Sequence, residues 1–186
     1  MLSRNIKLEN FKNTKISKKL IIHYKKLINE KNNQNNLINS FTKSYPYSYS
    51  KQQLTKYKKY NVFQIFGMGG SSLGSKAIYN FIKFKIKKKF YFFDNLDTNN
   101  KSIKDKKALN IIISKSGNTL ETIVNENIFS GKNKLYITEN QNNYLRNQAL
   151  KLKSEIIDHK NYIGGRYSVL SEVGMVPAEL MGLNSN

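Results

Sequence analysis

Residues 111–122 read IIISKSGNTLET, a β-branched run that passes directly into a turn crowded with hydroxyl groups. Ser114, Ser116 and Thr119 supply the hydroxyls and Lys115 a point charge, while Gly117 frees the backbone. The helical pattern resumes near Thr119. A helix start offers unpaired N–H groups and a partial positive charge, which together favour an anion. A serine-rich helix cap accounts for one or two hydroxyls, not for this cluster with a lysine inside it.

A second turn, GMGGSSLGSK from Gly67 to Lys76, follows the apolar run VFQIF. Its glycines let backbone approach a ligand closely. Gly69 and Gly74 have the spacing of a nucleotide P-loop, but Ser75 and Lys76 stand in reversed order, which rules that reading out. Gly67, Gly69 and Asp94 partly fit a dinucleotide fingerprint, with Ser72 in place of its third glycine. The paired serines Ser71 and Ser72 fit a sugar-phosphate loop, and a ligand-free tight turn remains open on this stretch alone. The Lys115 turn favours the sugar phosphate. A dinucleotide sheet has no need of a second phosphate cradle two strands away, whereas a monophosphate gripped from both sides does.

A third stretch, GGRYSVLSEVGMVPAELMGL from Gly164 to Leu183, sets Arg166 behind two glycines and ahead of a short helix. Only three of the 32 basic residues are arginine. A fixed, planar cation here suits a developing oxyanion. A surface arginine paired with a carboxylate is the plainer alternative.

The elements that must carry these turns follow from the apolar pattern. Runs at 62–66, 90–93, 110–113, 134–138 and 154–157 read as strands apolar on both faces, separated by helical patterns. They predict an α/β fold: a three-layer α/β/α sandwich around a mainly parallel five-stranded sheet, flavodoxin-like and doubly wound. Such sheets bind ligands beyond the carboxyl ends of the strands, where strand order reverses. Residues 61–186 are expected to form this domain. Residues 1–60 read as a helical extension, with a helix near 16–30, a loop at NNQNN (32–36) and an irregular YPYSYS (45–50).

Composition narrows the classes. The 186 residues hold no cysteine, which fits a reducing cytoplasm, and the two histidines lie too far apart in sequence for a metal pair, so no metal is expected. The formal charge of +20 comes almost wholly from lysine without an arginine-rich or aromatic-interleaved stripe. It reads as a solvated basic surface that attracts anions, with no nucleic-acid partner. No stretch is long and apolar enough for a membrane span, and no signal peptide is legible.

FGMGGSSLGSKAIYNF, FFDNLD, IIISKSGNTLET and GGRYSVLSEVGMVPAELMGL resemble, in order and spacing, the successive motifs of the glucose-6-phosphate isomerase family. The resemblance covers residues 62–183. It implies a sugar isomerase (SIS) domain, with a second such domain absent from this chain. It implies cofactor-free aldose–ketose isomerisation of glucose 6-phosphate and fructose 6-phosphate through an enediolate, in glycolysis and gluconeogenesis, in the cytoplasm. For the full-length enzyme it implies a homodimer. Residue by residue, Gly70, Ser71, Ser114, Lys115, Ser116 and Thr119 match the family's phosphate loops. Arg166 matches the arginine that stabilises the enediolate, and Glu121 a glutamate near the ring-opening machinery. The family's base glutamate lies in a later motif than any found here. Glu139 precedes the arginine motif, and His159 does not match the family histidine by position. Glu172 and Glu179 are expected in surface or packing roles. The fragment alone is therefore expected to be inactive. A stand-alone sugar-phosphate-binding module without catalysis is the alternative.

Overall fold

The structure, a computed structural model, describes residues 17–32, 40–42, 44–96 and 107–184. The chain divides into two compact units, Met1–Asn39 and Ser40–Asn186. In the first, helix α1 spans Lys18–Asn32, close to the helix expected at 16–30. Most of the NNQNN loop lies outside the described residues.

The second unit holds strands β1 (Val62–Phe66), β2 (Lys89–Phe93), β3 (Leu109–Ile113), β4 (Lys134–Glu139) and β5 (Glu155–His159). Its helices are α2 (Lys51–Thr55), α3 (Gly70–Ile82), α4 (Leu120–Phe129), α5 (Tyr144–Lys151) and α6 (Glu172–Met181). Short 3-10 helices occupy Lys83–Lys85 and Gly165–Leu170. Every strand pairing is parallel, and the order across the sheet is β2-β1-β3-β4-β5. This is the flavodoxin-like winding. The order reverses between β1 and β3, and the turns after those two strands carry the hydroxyl and glycine clusters.

Burial explains the apolar runs. All five residues of β3 are buried, as a central parallel strand covered on both faces requires. One sheet face, with Phe63, Ile65 and Ile111, packs against Ile78 of α3 and Val176 and Leu180 of α6. The other face, with Phe66, Ile112 and Tyr136, packs against Ile123 of α4 and Leu145 of α5. Neighbouring registers stack Phe63 on Phe90 and Phe66 on Phe93, each pair with ring centroids 4.6 Å apart. Each such side chain contributes about 1.5–3 kcal/mol by leaving water.

Residues 40–60 belong to this unit. Leu54 of α2 is 1% exposed and sits in the first core layer with Tyr57. Ser50 caps α2 by accepting from Gln53 N, and the Gln53 side chain accepts from the Ser50 backbone in return. YPYSYS stays irregular, as expected, yet Tyr45 is buried there and donates to the carboxylate of Glu172 at 3.0 Å.

Candidate functional site

The turn after β1 runs Gly67 to Gly69 into α3, and the turn after β3 runs Ser114 to Thr119 into α4. They stand side by side. Gly67 N donates to Phe93 O at 3.2 Å, and a methyl added at Gly67 would lie 3.0 Å from Ile113 O, the last carbonyl of β3.

The two helices that start here differ from the others of the unit. Asn143 caps α5, Ser171 caps α6 and Ser50 caps α2, each accepting from a first-turn N–H. No described side chain caps α3, whose N-cap is Gly69 at φ 52°, or α4, whose N-cap is Thr119. The hydroxyl of Thr119 turns instead to Ser114 Oγ, 2.9 Å away. Two helix starts with no side-chain acceptor thus face the crevice where strand order reverses. Each favours an anion through its free N–H groups and partial positive charge.

The second turn is rigidly built. Ser114 Oγ accepts from Gly117 N at 3.2 Å, and Ser116 Oγ accepts from Asn118 N at 3.3 Å. Asn118 Oδ1 accepts from Tyr144 N, and Gly117 O from Leu145 N, so α5 pins the turn from outside. Ser114 is buried, whereas Ser116 is exposed and Thr119 half-buried.

Lys115 is half-buried and already engaged. Its ammonium donates to Asn161 O at 2.7 Å and pairs with Glu139 Oε1 at 3.3 Å. The parallel register brings Glu139, last residue of β4, beside it, since Glu139 N donates to Lys115 O. The contact joins the end of β4 to the turn after β3, so nothing local in the sequence announces it.

Arg166 is exposed on the 3-10 helix Gly165–Leu170 and has no carboxylate partner among the described residues, contrary to the plainer reading of a surface ion pair. This helix lies against the start of α3. Any side-chain carbon on Gly70 would collide with the backbone of Gly165. The Ser168 hydroxyl, 1% exposed, lies 3.1 Å from Gly70 O and 2.7 Å from Gly165 O. Glu121, in the first turn of α4, is half-buried and has no described partner. Ser71 lies in the first turn of α3, with its N–H donating to Met68 O at 3.0 Å.

The dinucleotide alternative meets an obstacle. Asp94, the acid such a reading needs, accepts from Lys76 Nζ at 2.6 Å. The reversed Lys76 of the would-be P-loop is thereby accounted for as well. Glu172 is 0% exposed, so of the two roles expected for it the structure gives packing: it accepts from Tyr45 and from Ser48 N. Burial lowers the pKa of His159, the strongest influence on it. The Lys160 carbonyl, 2.8 Å from its Nδ1, opposes that shift, as do the carboxylates of Glu172 and Glu139; Lys115 adds to it. Among the described residues, no group of three or more histidine, cysteine, aspartate or glutamate side chains could hold a metal ion.

A parallel sheet wound in this order, with two uncapped helix starts and an arginine-bearing turn at its reversal point, defines a doubly wound α/β domain of the sugar isomerase type. The chain belongs to the phosphoglucose isomerase family, whose model matches residues 10–185. It is 38% identical over 149 residues to a glucose-6-phosphate isomerase of Methanocaldococcus jannaschii, covering 72% of this chain and 37% of that one. The chain thus spans about a third of that relative's length. Among solved structures, a hypothetical protein from Thermus thermophilus shares the fold with a TM-score of 0.68 at 22% identity, over 86% of this chain and 43% of that one. A tagatose-6-phosphate ketose/aldose isomerase from Escherichia coli superposes with a TM-score of 0.51 at 17% identity, over 87% and 45% of the two chains. At these identities the two structures speak to fold alone.

Proposed function

We propose that this chain forms the phosphate-gripping part of a glucose-6-phosphate isomerase. The observation that carries the proposal is the pair of uncapped helix starts, α3 and α4, on either side of the β1/β3 crevice. A phosphoryl group between them accepts from the backbone N–H of Gly70, the Ser71 N–H being bonded to Met68 O, and from the Ser114–Thr119 turn. Ser116 and one member of the hydrogen-bonded Ser114–Thr119 pair add hydroxyl donors, and Lys115 adds a cation within reach of the same turn. Family membership supports the choice of an aldose or ketose 6-phosphate over other phosphate esters.

In the isomerisation, a base takes the proton from C2 of the open-chain aldose. The electrons of that C–H bond become the C1–C2 double bond of an enediolate, with negative charge on the C1 oxygen. The O2 hydrogen passes to the C1 oxygen and a proton returns to C1, which gives the ketose. Arg166, exposed beside the phosphate helix, is the cation for that oxygen. Glu121 is assigned to the ring-opening step by its match to the family motif alone. The chemistry asks for no cofactor. The whole enzyme is read as a cytoplasmic homodimer on the strength of the family alone.

A second reading, phosphate binding without turnover by this chain, is favoured by the engagement of the rim carboxylates. Asp94 is held by Lys76, Glu139 by Lys115 and Glu172 by Tyr45. A coupled assay that follows fructose 6-phosphate conversion by the purified chain separates the two. Turnover excludes the second reading; glucose 6-phosphate binding in calorimetry without turnover selects it; no binding of either sugar phosphate contradicts both.

A further inference from the structure

The arginine-bearing 3-10 helix is held to the phosphate helix by a specific set of contacts, and Ser168 is at their centre. Its side chain is 1% exposed. One hydroxyl hydrogen serves two carbonyls on separate segments, Gly165 O at 2.7 Å and Gly70 O at 3.1 Å. Gly70 is the first residue of α3, and Gly165 immediately precedes Arg166. The two glycines meet backbone to backbone, so the hydroxyl sits beside a contact from which any side chain on Gly70 is excluded. One turn further along α3, Gly74 leaves room for Val169, whose Cγ2 would lie 2.7 Å from a methyl there. The far side of the 3-10 helix is closed by Ser171, which donates to Ser168 O at 2.7 Å and caps α6.

We infer that Ser168 is a positioning residue that locks the Arg166 turn onto the amino end of the phosphate helix, so that the guanidinium and the phosphate site keep a fixed separation. The inference rests on the sugar-phosphate reading above for its catalytic consequence, and on geometry alone for the lock itself. A buried hydroxyl that bridges two carbonyls supplies a donor to both acceptors at once. It also ties a segment whose own backbone bonds are short 3-10 turns to the first residue of α3. An arginine that stabilises charge only as it develops gains little from being near; it must be held at a set distance from the reacting carbons, and those are located by the phosphate.

The test uses the full 186-residue chain with Ser168→Ala and, as a variant that keeps the hydroxyl, Gly74→Ala. Two readouts are taken. Hydrogen exchange at the Tyr167 and Ser171 amides, which bond to Gly164 O and Ser168 O, reports the lock without any ligand. Calorimetry compares glucose 6-phosphate with a sugar-phosphate hydroxamate that mimics the enediolate. Ser168→Ala is expected to speed exchange at these amides by about tenfold or more while the β3 and β4 amides keep their protection. It is expected to weaken the hydroxamate by about tenfold and glucose 6-phosphate by less than about twofold. Gly74→Ala, which pushes on Val169 with the hydroxyl intact, is expected to show the same selectivity more mildly. Unchanged exchange at Tyr167 and Ser171, or faster exchange throughout the sheet, overturns the lock. Equal weakening of both ligands makes Ser168 a merely structural residue and overturns its positioning role. If the unsubstituted chain binds neither ligand, the sugar-phosphate reading fails, and the exchange readout still decides whether the lock exists.

Discussion

Gly70 and Gly165 meet backbone against backbone, with no space for a side-chain carbon on Gly70. One opens α3 and the other introduces Arg166; they are far apart in sequence and adjacent in space. The contact lets two stretches that look like separate loops in the sequence act as one surface. Gly70→Ala is predicted to destabilise the chain by roughly 1–3 kcal/mol, the usual range for overpacking a tight contact. A thermal melt checks the direction, and a variant as stable as the parent argues that the contact is loose in solution.

Lys115 is held by Glu139 and by the Asn161 carbonyl, with 33% of its side chain exposed. An ion pair this open adds less than about 1 kcal/mol to stability. Lys115→Ala is therefore predicted to leave the melting temperature nearly unchanged. Glucose 6-phosphate affinity should fall by roughly tenfold, as expected for loss of one charge-assisted contact. Calorimetry that finds unchanged affinity removes Lys115 from the site and leaves it as a strut for the β4 end of the rim.

His159 is buried, and its pKa lies below that of a free histidine because burial penalises the charged ring. The unfolded chain therefore takes up the proton first. The stability tied to neutral His159 is present in full above the unfolded value, near pH 6.5, and is lost as pH falls from there towards the folded value. Melting temperatures are predicted to drop on going from about pH 7 to about pH 5. His159→Gln should flatten that slope, and an equally steep slope in the variant would assign it to other groups.

Glu155 is tied into the packing of α2. Burial alone would raise its pKa, but hydrogen bonds from Lys56, Tyr57 and Gln53 together outweigh that and hold it below the usual carboxylate range. A depressed carboxylate stabilises the fold above its unfolded pKa, and the contribution disappears as pH falls through the folded one. Glu155→Gln is predicted to destabilise at neutral pH and to converge with the parent chain below about pH 4. Chemical denaturation at the two pH values reads both effects. A constant gap between the two proteins would contradict the assignment.

The strands were legible because their burial demands it. Runs such as NIII and VFQIF have no exposed face, and only a sheet covered on both sides can bury them. The turns after β1 and β3 were legible for a related reason, since glycines and hydroxyls directly after such runs fall at the carboxyl rim. Residues 40–60 were harder to read. Tyr45 and Leu54 are deeply buried, but a five-residue helix and an irregular tyrosine run have no periodicity that announces burial. The engagement of Lys115 by Glu139 and the bridge from Ser168 to Gly70 depend on contacts between distant segments. A serine three residues before another serine carries no local sign that its hydroxyl closes two turns together. Glu172 shows the same limit: its helical setting left surface and packing roles both open, and its burial rests on donors, Tyr45 and Ser48, that lie far away in the chain.

The central claim is that a single phosphoryl group is held between the starts of α3 and α4. A crystal structure of the chain soaked with glucose 6-phosphate tests it most directly. The phosphate is predicted to sit at the β1/β3 crevice, its oxygens within about 3 Å of the Gly70 N–H and of backbone N–H groups in the Ser114–Thr119 turn. Phosphate bound at the opposite, amino ends of the strands, in the groove lined by Lys132 and Lys153, would contradict it.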